Sequence, residues 1–291
     1  MLNQALLEVL AVNVRLPDST LGDMRASVAA LKVGERRLLA LLERHGRPVF
    51  EQAVESLLDY AERMSRLGLA SAPKGTFDAE DWVDDDGVTD EPFRIKVRLD
   101  ITDDTFVADF TGTSPEVRGP FNSGRAGLEF AVHLVFKALT SPHTPANHGS
   151  FRPVRIVCPP RTCLTAERPA PTMRYHQAPM IGVEAMCRAL APHCPDRIPA
   201  GNHASACGAN FGGRHPETGE MYVIIEPQLG GWGAAAGKDG ENGLFWYACG
   251  ETRNLPVEVL EGRHGLLVER YALNDDDGGA GQRRGGKVIL R

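Results

Sequence analysis

The chain lacks the features that mark membrane, secreted and nucleic-acid-binding proteins. No apolar run reaches the roughly 18 residues that a membrane-spanning helix needs. Residues 1–8 have neither the basic start nor the small-residue cleavage site of a secretory signal. The net charge of -6 comes from mixed signs, with no basic stripe that could neutralise phosphates. We therefore expect a cytoplasmic protein that binds neither nucleic acid nor a membrane.

Cysteine is also scarce, and no two of the six cysteines have the two-residue spacing of redox and zinc motifs. An intracellular chain of this length keeps its thiols reduced. We therefore expect the cysteines to be free and to act as small buried apolar residues. The nine histidines show no metalloprotease or zinc-finger spacing, so no histidine pair is predicted to hold a metal.

The first 72 residues carry apolar side chains at helical spacing. Leu2, Leu6 and Leu10 begin one apolar face, and a longer face continues to about residue 68. Pro48 suits the first turn of a helix, because the N–H group that proline lacks would have no partner there. Residues 1–72 are predicted to form a helical segment, either an antiparallel helical hairpin or three helices.

Residues 73–92 differ sharply in composition from their neighbours. Eight acidic residues and no basic residue stand between Asp78 and Glu91. We interpret this stretch as an acidic linker. A calcium loop is the alternative, but the spaced ligands and the terminal bidentate glutamate of a calcium hand are absent, so a solvated loop is favoured.

The remaining residues, 93–291, are predicted to form a mixed α+β region. Residues 93–100 alternate apolar and charged side chains, which indicates a strand with one buried face, and residues 105–110 return as its hairpin partner. Further strands are expected at 154–157, 221–226 and 266–271, and helices at 124–139 and 181–190. The fold class is therefore α+β, a helical segment followed by mixed elements with antiparallel hairpins.

One polar loop holds the best single candidate for an acid, a base or an anion contact. His148 lies between Asn147 and Gly149, shortly before Arg152, where the chain enters a predicted strand. Histidine is the side chain whose charge changes most readily near neutral pH. The alternative is that His148 is a surface residue, as an isolated loop histidine commonly is.

A second polar loop, residues 251–254, combines an acid, a hydroxyl, a guanidinium and an amide. Glu251 is the other catalytic candidate, and the fork of Arg253 suits a bidentate contact with a carboxylate. Asn254 would add an amide donor and acceptor. The alternative is that this cluster only caps and ties neighbouring loops.

The glycine-rich run 229–240 invites a phosphate-binding interpretation, but its spacing is wrong. A phosphate loop requires a first glycine separated by four residues from the Gly-Lys pair and a serine or threonine after the pair, whereas Trp232 and Asp239 stand at these positions. A structural or substrate-covering loop is favoured. Lys238 could still neutralise a phosphorylated intermediate as a point charge.

Several stretches, in order along nearly the whole chain, resemble one known family, the B-type subunits of the hydantoinase, 5-oxoprolinase and acetone carboxylase group. The stretches are AVNVR at 11–15, LGDMRA at 21–26, VGERR at 33–37, DFTGTSP at 109–115, GPFN at 119–122, NHGSFRPV at 147–154, GETRNLPVEVLE at 250–261 and DGGAGQRRGG at 277–286. Members of this family are about twice as long. The resemblance therefore implies a fragment that lacks an N-terminal half.

The resemblance also implies a function. An A-type partner subunit would bind ATP and phosphorylate the substrate, and the B-type subunit would help to turn over the activated species. A divalent metal is expected in the missing N-terminal half, so no residue here is assigned as a metal ligand. The residues that fall in family-like loops, and could contact the substrate or act in catalysis, are Asn122, Asn147, Arg152, Glu251, Arg253 and Asn254.

The leading expectation is thus part of the B-type subunit of an ATP-dependent cyclic-amide hydrolase that opens 5-oxoproline or a hydantoin, inactive without its partner in a hetero-oligomer. The alternatives are a subunit of an acetone- or acetophenone-type carboxylase and a non-catalytic scaffold that docks a partner subunit. Residues 169–177 depart from the family pattern. Arg174 and His176 in that segment suggest an anionic or bulkier substrate than a simple hydantoin.

Overall fold

The computed structural model describes residues 3–205, 208–246, 253–274 and 278–290. Helices come first and mixed helices and strands follow, so the predicted α+β class is confirmed. The helices are α1 (Gln4–Val12), α2 (Pro17–His45), α3 (Arg47–Ala70), α4 (Arg125–Thr140), α5 (Gln177–Leu190) and α6 (Val257–His264). The strands are β1 (Gly75–Val83), β2 (Phe93–Ile101), β3 (Phe106–Asp109), β4 (Val154–Val157), β5 (Gly208–Arg214), β6 (Met221–Pro227), β7 (Ala272–Leu273) and β8 (Ile289–Leu290).

The chain divides into two compact units. The first comprises Met1–Leu57, Asn210–Ile224 and Pro256–Leu267. The second comprises Leu58–Ala209, Ile225–Leu255 and Val268–Arg291.

The helical start of the first unit is as predicted, with three helices. Asn3 caps α1 by accepting a hydrogen bond from the backbone N–H group of Leu6. Pro17 stands in the first turn of α2, and Gly46, with a φ of 77°, ends it. Helix α1 packs on α2 and buries Leu7.

Helix α2 is unusual because none of its 29 residues is buried. Several of its large apolar side chains lie open to solvent, and Leu31 is 73% exposed. Packing of an apolar face normally supplies most of a helix's stability in a protein. The described residues therefore give α2 little support beyond α1 and its own hydrogen bonds.

The terminal polar run contains a helix that the sequence interpretation missed. Residues 257–264 form α6, which begins after Pro256 and ends at Gly265 in the left-handed region. In the same unit, the ring of His264 lies 5.3 Å from that of Tyr222 on β6. A turn at 216–219 joins β5 to β6.

The second unit is built on a four-stranded sheet of order β1-β2-β3-β4. The β2–β3 hairpin is antiparallel, as predicted, and β4 lies parallel to β3 because α4 carries the chain back across the sheet. Along β2, Ile95, Val97 and Leu99 are fully buried while the charged residues between them face outward. The alternating pattern of the sequence is therefore confirmed.

The interpretation of residues 73–92 as a linker is wrong for its first half. Residues 75–83 form β1, which pairs with β2 over nine residues. The acidic side chains of Asp78 and Glu80 lie on the exposed face, where they approach Arg98 at 3.7 Å and Arg94 at 3.3 Å. Cross-strand pairing of opposite charges, and not a solvated loop, accounts for these acids.

Helices α4 and α5 pack together, α5 against β1 and β2 and α4 against β4. Twelve of the 14 residues of α5 are buried. Phe136 of α4 meets Phe106 of β3 edge-on, with ring centroids 5.4 Å apart, and both are fully buried. Four cysteines lie in described residues, and all are free, with Cys163, Cys187 and Cys194 buried as expected.

The glycine-rich run 229–240 interlocks with neighbouring backbone. A Cβ atom added at Gly231 would lie only 2.2 Å from the carbonyl oxygen of Gly286. The side chain of Lys238 is paired with Glu241 at 2.6 Å. The close backbone approach gives the glycines of this run a structural role, since only glycine permits it.

Residues 266–271, predicted to be a strand, form no strand; the short strand β7 follows them.

Within the described residues, no helix combines the length and the apolar character needed to cross a bilayer.

Asp86 organises the loop between β1 and β2, in the second half of the predicted linker. Its carboxylate accepts hydrogen bonds from the backbone N–H groups of Val88, Thr89 and Gly119 and from the Thr89 hydroxyl, at 2.6 to 3.0 Å. Burial alone would raise the pKa of Asp86, but these donors outweigh it and lower the pKa to about 2. The carboxylate is thus fully engaged by the chain itself.

We predict that Asp86→Asn lowers the free energy of unfolding by about 2 kcal/mol at pH 7, because an amide cannot accept all four hydrogen bonds. Asp86 has a lower pKa in the folded than in the unfolded state, so its contribution is present above about pH 4 and is lost as the pH falls towards about 2. Urea unfolding at pH 7 and pH 3 measures both effects. Asp84→Asn, on an exposed side chain of the same loop, is the control; equal losses for both variants would contradict the prediction.

Candidate functional site

The second unit contains a cavity of about 750 Å³ with mostly apolar walls. We call it the apolar cavity. It lies between the start of α4, the segment that leads into α5 and the first turn of α5. The lining residues are Ser123, Gly124, Ala126, Gly127, Phe130, Ala166, Thr172, Tyr175, His176, Pro179, Met180 and Trp246.

Local structure holds these walls in place. The backbone N–H group of Ser123 donates to the carbonyl of Cys163 at 2.7 Å, just before α4 begins. Arg174 donates its backbone N–H to Pro120 at 2.8 Å, which fixes the chain as it enters α5. Opposite, the Phe130 ring lies 6.2 Å from the ring of Trp246 in a tilted arrangement.

Two residues that line the apolar cavity each carry a polar nitrogen atom without a partner in the described part of the chain. Nε1 of Trp246 and Nε2 of His176 are buried, and neither has a hydrogen-bond partner among the described residues. Trp246 is only 3% exposed. A buried polar atom without a partner is costly, so a ligand in the cavity that reached either atom would gain a hydrogen bond that the described residues do not supply.

The charge state of His176 follows from its surroundings. Burial lowers the pKa of His176, and the neighbouring Arg174 guanidinium lowers it further. The ring is therefore neutral at pH 7 and can donate or accept one hydrogen bond. Of the two residues suggested by the sequence to favour an anionic substrate, only Arg174 carries a positive charge.

The combination suits a ligand with a carbon ring and one polar edge. A cavity with apolar walls and a few polar atoms is the usual form of a small-molecule site. The indole N–H group of Trp246 can donate to a carbonyl oxygen, and neutral His176 can accept from an N–H group.

The sequence-predicted candidate His148 lies elsewhere in the same unit, in a pocket of about 350 Å³. We call it the histidine pocket. His148 is exposed, and His133 lies near it with its ring stacked on Phe151 at 3.9 Å. The pKa of His133 is lowered, mainly by burial. The charge of Glu129 opposes this shift, and the nearby His148 adds to it. The pocket is lined by Arg125, Glu129, His133, His148, Phe151, Arg152, Val154 and Ile156.

Arg152 borders the histidine pocket but is already paired. Its Nη1 atom lies 2.7 Å from Asp59 and 2.9 Å from Glu62, both on α3. The hydrogen bonds from Arg152 and Arg66 lower the pKa of Glu62. A substrate carboxylate would have to compete with these two carboxylates for Arg152. The substrate contact predicted for Arg152 therefore stays a prediction, and its ion pairs do not favour it.

Asn147 and Asn122 both make hydrogen bonds that hold loops. Asn147 caps a short 3-10 helix, His148–Phe151, by accepting from the N–H group of Gly149 at 2.9 Å. A Cβ atom at Gly149 would lie 2.0 Å from the carbonyl oxygen of Leu58, which explains the glycine in this motif. Asn122 is fully buried, and its amide group bonds the backbone of Val117 in both directions.

The other predicted residues belong to the C-terminal loop. Asn254 donates through Nδ2 to Oε1 of the buried Glu226 at 2.7 Å and to the Pro227 carbonyl at 2.9 Å. Arg253 is exposed. Glu251 lies outside the described residues. The three groups of candidates thus occupy separate segments, and their substrate and catalytic roles remain predictions.

Sequence reasoning missed most of the apolar cavity. Trp246 and Met180 carried no motif, and Phe130 resembled an ordinary apolar residue of an amphipathic helix. The one available signal was the 169–177 segment, where Tyr175 and His176 depart from the family pattern. For a metal, no group of three or more histidine, cysteine, aspartate or glutamate side chains forms a site in the part of the chain that the structure describes.

Comparisons with known proteins identify relatives of the whole chain. A family model described as Hydantoinase B/oxoprolinase matches residues 1–291, which confirms the resemblance inferred from the sequence motifs. A putative D-/L-hydantoinase B-type subunit from Pseudomonas sp. (strain NS671) is 32% identical over 301 residues, covering 99% of this chain and 50% of that protein. The chain spans about half the length of three curated relatives that it matches.

Two solved structures share the fold. The ATP-dependent caprolactamase from Pseudomonas jessenii has a TM-score of 0.90 at 26% identity, over 98% of this chain and 50% of that chain. A nucleotide-free acetone carboxylase has a TM-score of 0.86 at 18% identity, over 99% of this chain and 40% of that chain. The second likeness concerns the fold alone.

We predict that the pKa of His176 lies below the value of about 6.5 that is usual for histidine. Because burial is the larger cause, Arg174→Ala should raise this pKa without restoring the usual value. A pH titration of the histidine ring signals by NMR measures both, with His176→Gln to assign the signal. Titration of His176 at or above the usual value would contradict the burial seen here.

Proposed function

The chain belongs to the hydantoinase B/oxoprolinase family, and we propose that it is part of the B-type subunit of an ATP-dependent hydrolase of cyclic amides. The observation that carries this proposal is the family match over the entire chain. The fold likeness to an ATP-dependent caprolactamase supports it. Substrates of the class would be 5-oxoproline, hydantoins or larger lactams.

We propose that the apolar cavity receives the ring of the substrate. A lactam has a carbon ring that favours apolar walls, and a polar edge with one carbonyl acceptor and one N–H donor. Trp246 Nε1 and His176 Nε2 supply the matching donor and acceptor, and both are without partners in the described residues. Burying the carbons of a small ring is favourable by about 0.8 kcal/mol per CH₂ group.

The ATP requirement is assigned to an A-type partner subunit. Phosphorylation of an amide oxygen makes it a good leaving group, which is the chemistry that ATP would supply. Among the described residues, the glycine run 229–240 is interlocked with neighbouring backbone and does not form a phosphate cradle. We therefore derive no phosphoryl-transfer step from this chain, whose part is to bind and orient the ring.

The test is ATP hydrolysis by the full-length protein that carries this chain, purified with its A-type partner. Release of phosphate stimulated by 5-oxoproline, hydantoin or caprolactam, with one ring-opened product per ATP, is the expected result. Stimulation by acetone with bicarbonate, and not by a cyclic amide, would overturn the proposal in favour of a carboxylase. No stimulation by either class would favour a scaffold that only docks the partner.

A second prediction concerns the cavity. Ala126 is exposed at its edge, so Ala126→Leu should narrow the cavity without overpacking the core. We expect kcat/KM to fall by about tenfold for the seven-membered caprolactam, from the loss of roughly 1.4 kcal/mol of ring packing, and to change less for the five-membered hydantoin.

The matched control is Ala30→Leu, which adds the same side chain at an exposed position of α2, outside the cavity. Equal effects of Ala126→Leu on both ring sizes, or an equal effect of Ala30→Leu, would place ring recognition elsewhere.

A further inference from the structure

A second cavity of the same unit, about 460 Å³ in volume, has charged walls. We call it the polar pocket. Glu184 and Arg188 of α5 and Asp81 of β1 form one side. The other side is formed by Asn202, by Arg283 and by the backbone of the interlocked glycine loops. None of these side chains was singled out from the sequence.

Glu184 is the central feature of the polar pocket. It is only 8% exposed, yet just one of its two carboxylate oxygens is occupied: Oε2 accepts from the backbone N–H group of Asn202 at 3.3 Å. Oε1 is buried and has no hydrogen-bond partner in the described residues. A buried carboxylate oxygen without a donor is expensive. A purely structural carboxylate would be expected to use both oxygens.

Asn202 repeats this half-occupied arrangement. Its Oδ1 atom accepts from the N–H group of Ala204 at 2.6 Å, which shapes the loop. Its Nδ2 atom is buried without a partner in the described part of the chain. Glu184 and Asn202, which both line the pocket, therefore each use one atom to hold the loop and leave the other atom without a partner in the described residues.

The charges of the pocket have both signs. Arg188 is bound to Asp81 at 2.8 Å and donates to the carbonyl of Glu80 at 3.3 Å. Arg283 is exposed and lines the same pocket. The walls thus offer a buried acidic group in Glu184 and an exposed guanidinium in Arg283, besides an ion pair that is already satisfied.

The glycine loops make the wall rigid before any ligand arrives. The N–H group of Gly233 donates to the carbonyl of Gly201, and that of Gly286 donates to the carbonyl of Trp232 at 2.9 Å. A Cβ atom at Gly201 would lie 3.1 Å from Oε2 of Glu184. Such preorganisation lowers the entropy cost of binding.

We propose that the polar pocket binds a small amino acid, with its ammonium group on Oε1 of Glu184 and its carboxylate towards Arg283. An ammonium group supplies the N–H donors that Glu184 lacks, and a guanidinium is the best partner for a carboxylate. Two sources share this chemistry. The first is a free α-amino acid. The second is an ω-amino acid, the product of lactam hydrolysis, and this second source rests on the proposed function.

Proton linkage supports the ammonium assignment. Burial raises the pKa of Glu184 to about 7; the hydrogen bond from Asn202 lowers it, the charge of Asp81 raises it and Arg188 lowers it. The free carboxyl group is thus partly protonated near neutral pH. An ammonium group favours the ionised form, so binding should release protons near pH 7 and fewer at pH 8.5.

The experiment is calorimetric titration of the full-length protein, without ATP, using four C5 probes. L-norvaline and 5-aminopentanoate carry both charges at different separations, whereas pentanoate and pentylamine carry one each. We expect one of the two amino acids to bind at least tenfold more tightly than either single-charge probe. The preferred amino acid identifies the source. Because no turnover is measured, failure here is distinguishable from failure of the proposed hydrolase activity.

Two variants test the contacts. Glu184→Gln should weaken the preferred amino acid by at least tenfold and abolish the proton release, since an amide has no charge to pair with ammonium. Arg283→Gln, at an exposed position that carries no folding risk, should weaken the amino acid but not pentylamine. Glu55→Gln, an exposed glutamate of α3, is the matched control. Unchanged affinity in both pocket variants, or binding of neither amino acid, would overturn the proposal.

Discussion

The burial of α5 is the constraint on which the second unit depends. Twelve of its 14 residues are buried, and it packs on β1, β2 and α4 together. Its first turn lines the apolar cavity through Pro179 and Met180, while Glu184 and Arg188 line the polar pocket. The same helix therefore supplies the core and one wall of each candidate site. Its neighbours fix the position of both walls, because protein interiors are packed as densely as organic crystals.

The parts of the fold in which apolar residues recur at regular helix or strand spacing were predictable from the sequence. The alternation along β2 and the helical spacing before residue 70 were confirmed. Strand β1 was missed because its exposed face carries the acids that made the segment resemble a linker; its inward residues, such as Phe77, were too few to stand out. The basic partners of those acids lie on β2, and only the register shows the pairing. Such half-exposed pairs are each worth at most about 1 kcal/mol, so they compensate charge more than they stabilise the fold.

The candidate sites were less predictable than the fold. The motifs that carried the family resemblance identify loops that the chain uses structurally, as the capping by Asn147 and the buried amide of Asn122 show. Glu184 is the one acidic residue of the mostly apolar α5, and sequence alone cannot tell whether it faces solvent or a cavity. Trp246 is brought to Phe130 from more than a hundred residues away in the chain. Both sites arise from long-range packing, which leaves no local spacing to recognise.

The position of α5 between two cavities links them mechanically. Met180 and Glu184 stand one helical turn apart, an axial rise of about 6 Å. A closely packed helix shifts as a body, so any displacement of α5 alters the shape of both cavities at once. A ligand that displaced α5 on binding one cavity would therefore act on the other, and thermodynamic reciprocity would require the two ligands to influence each other by the same factor.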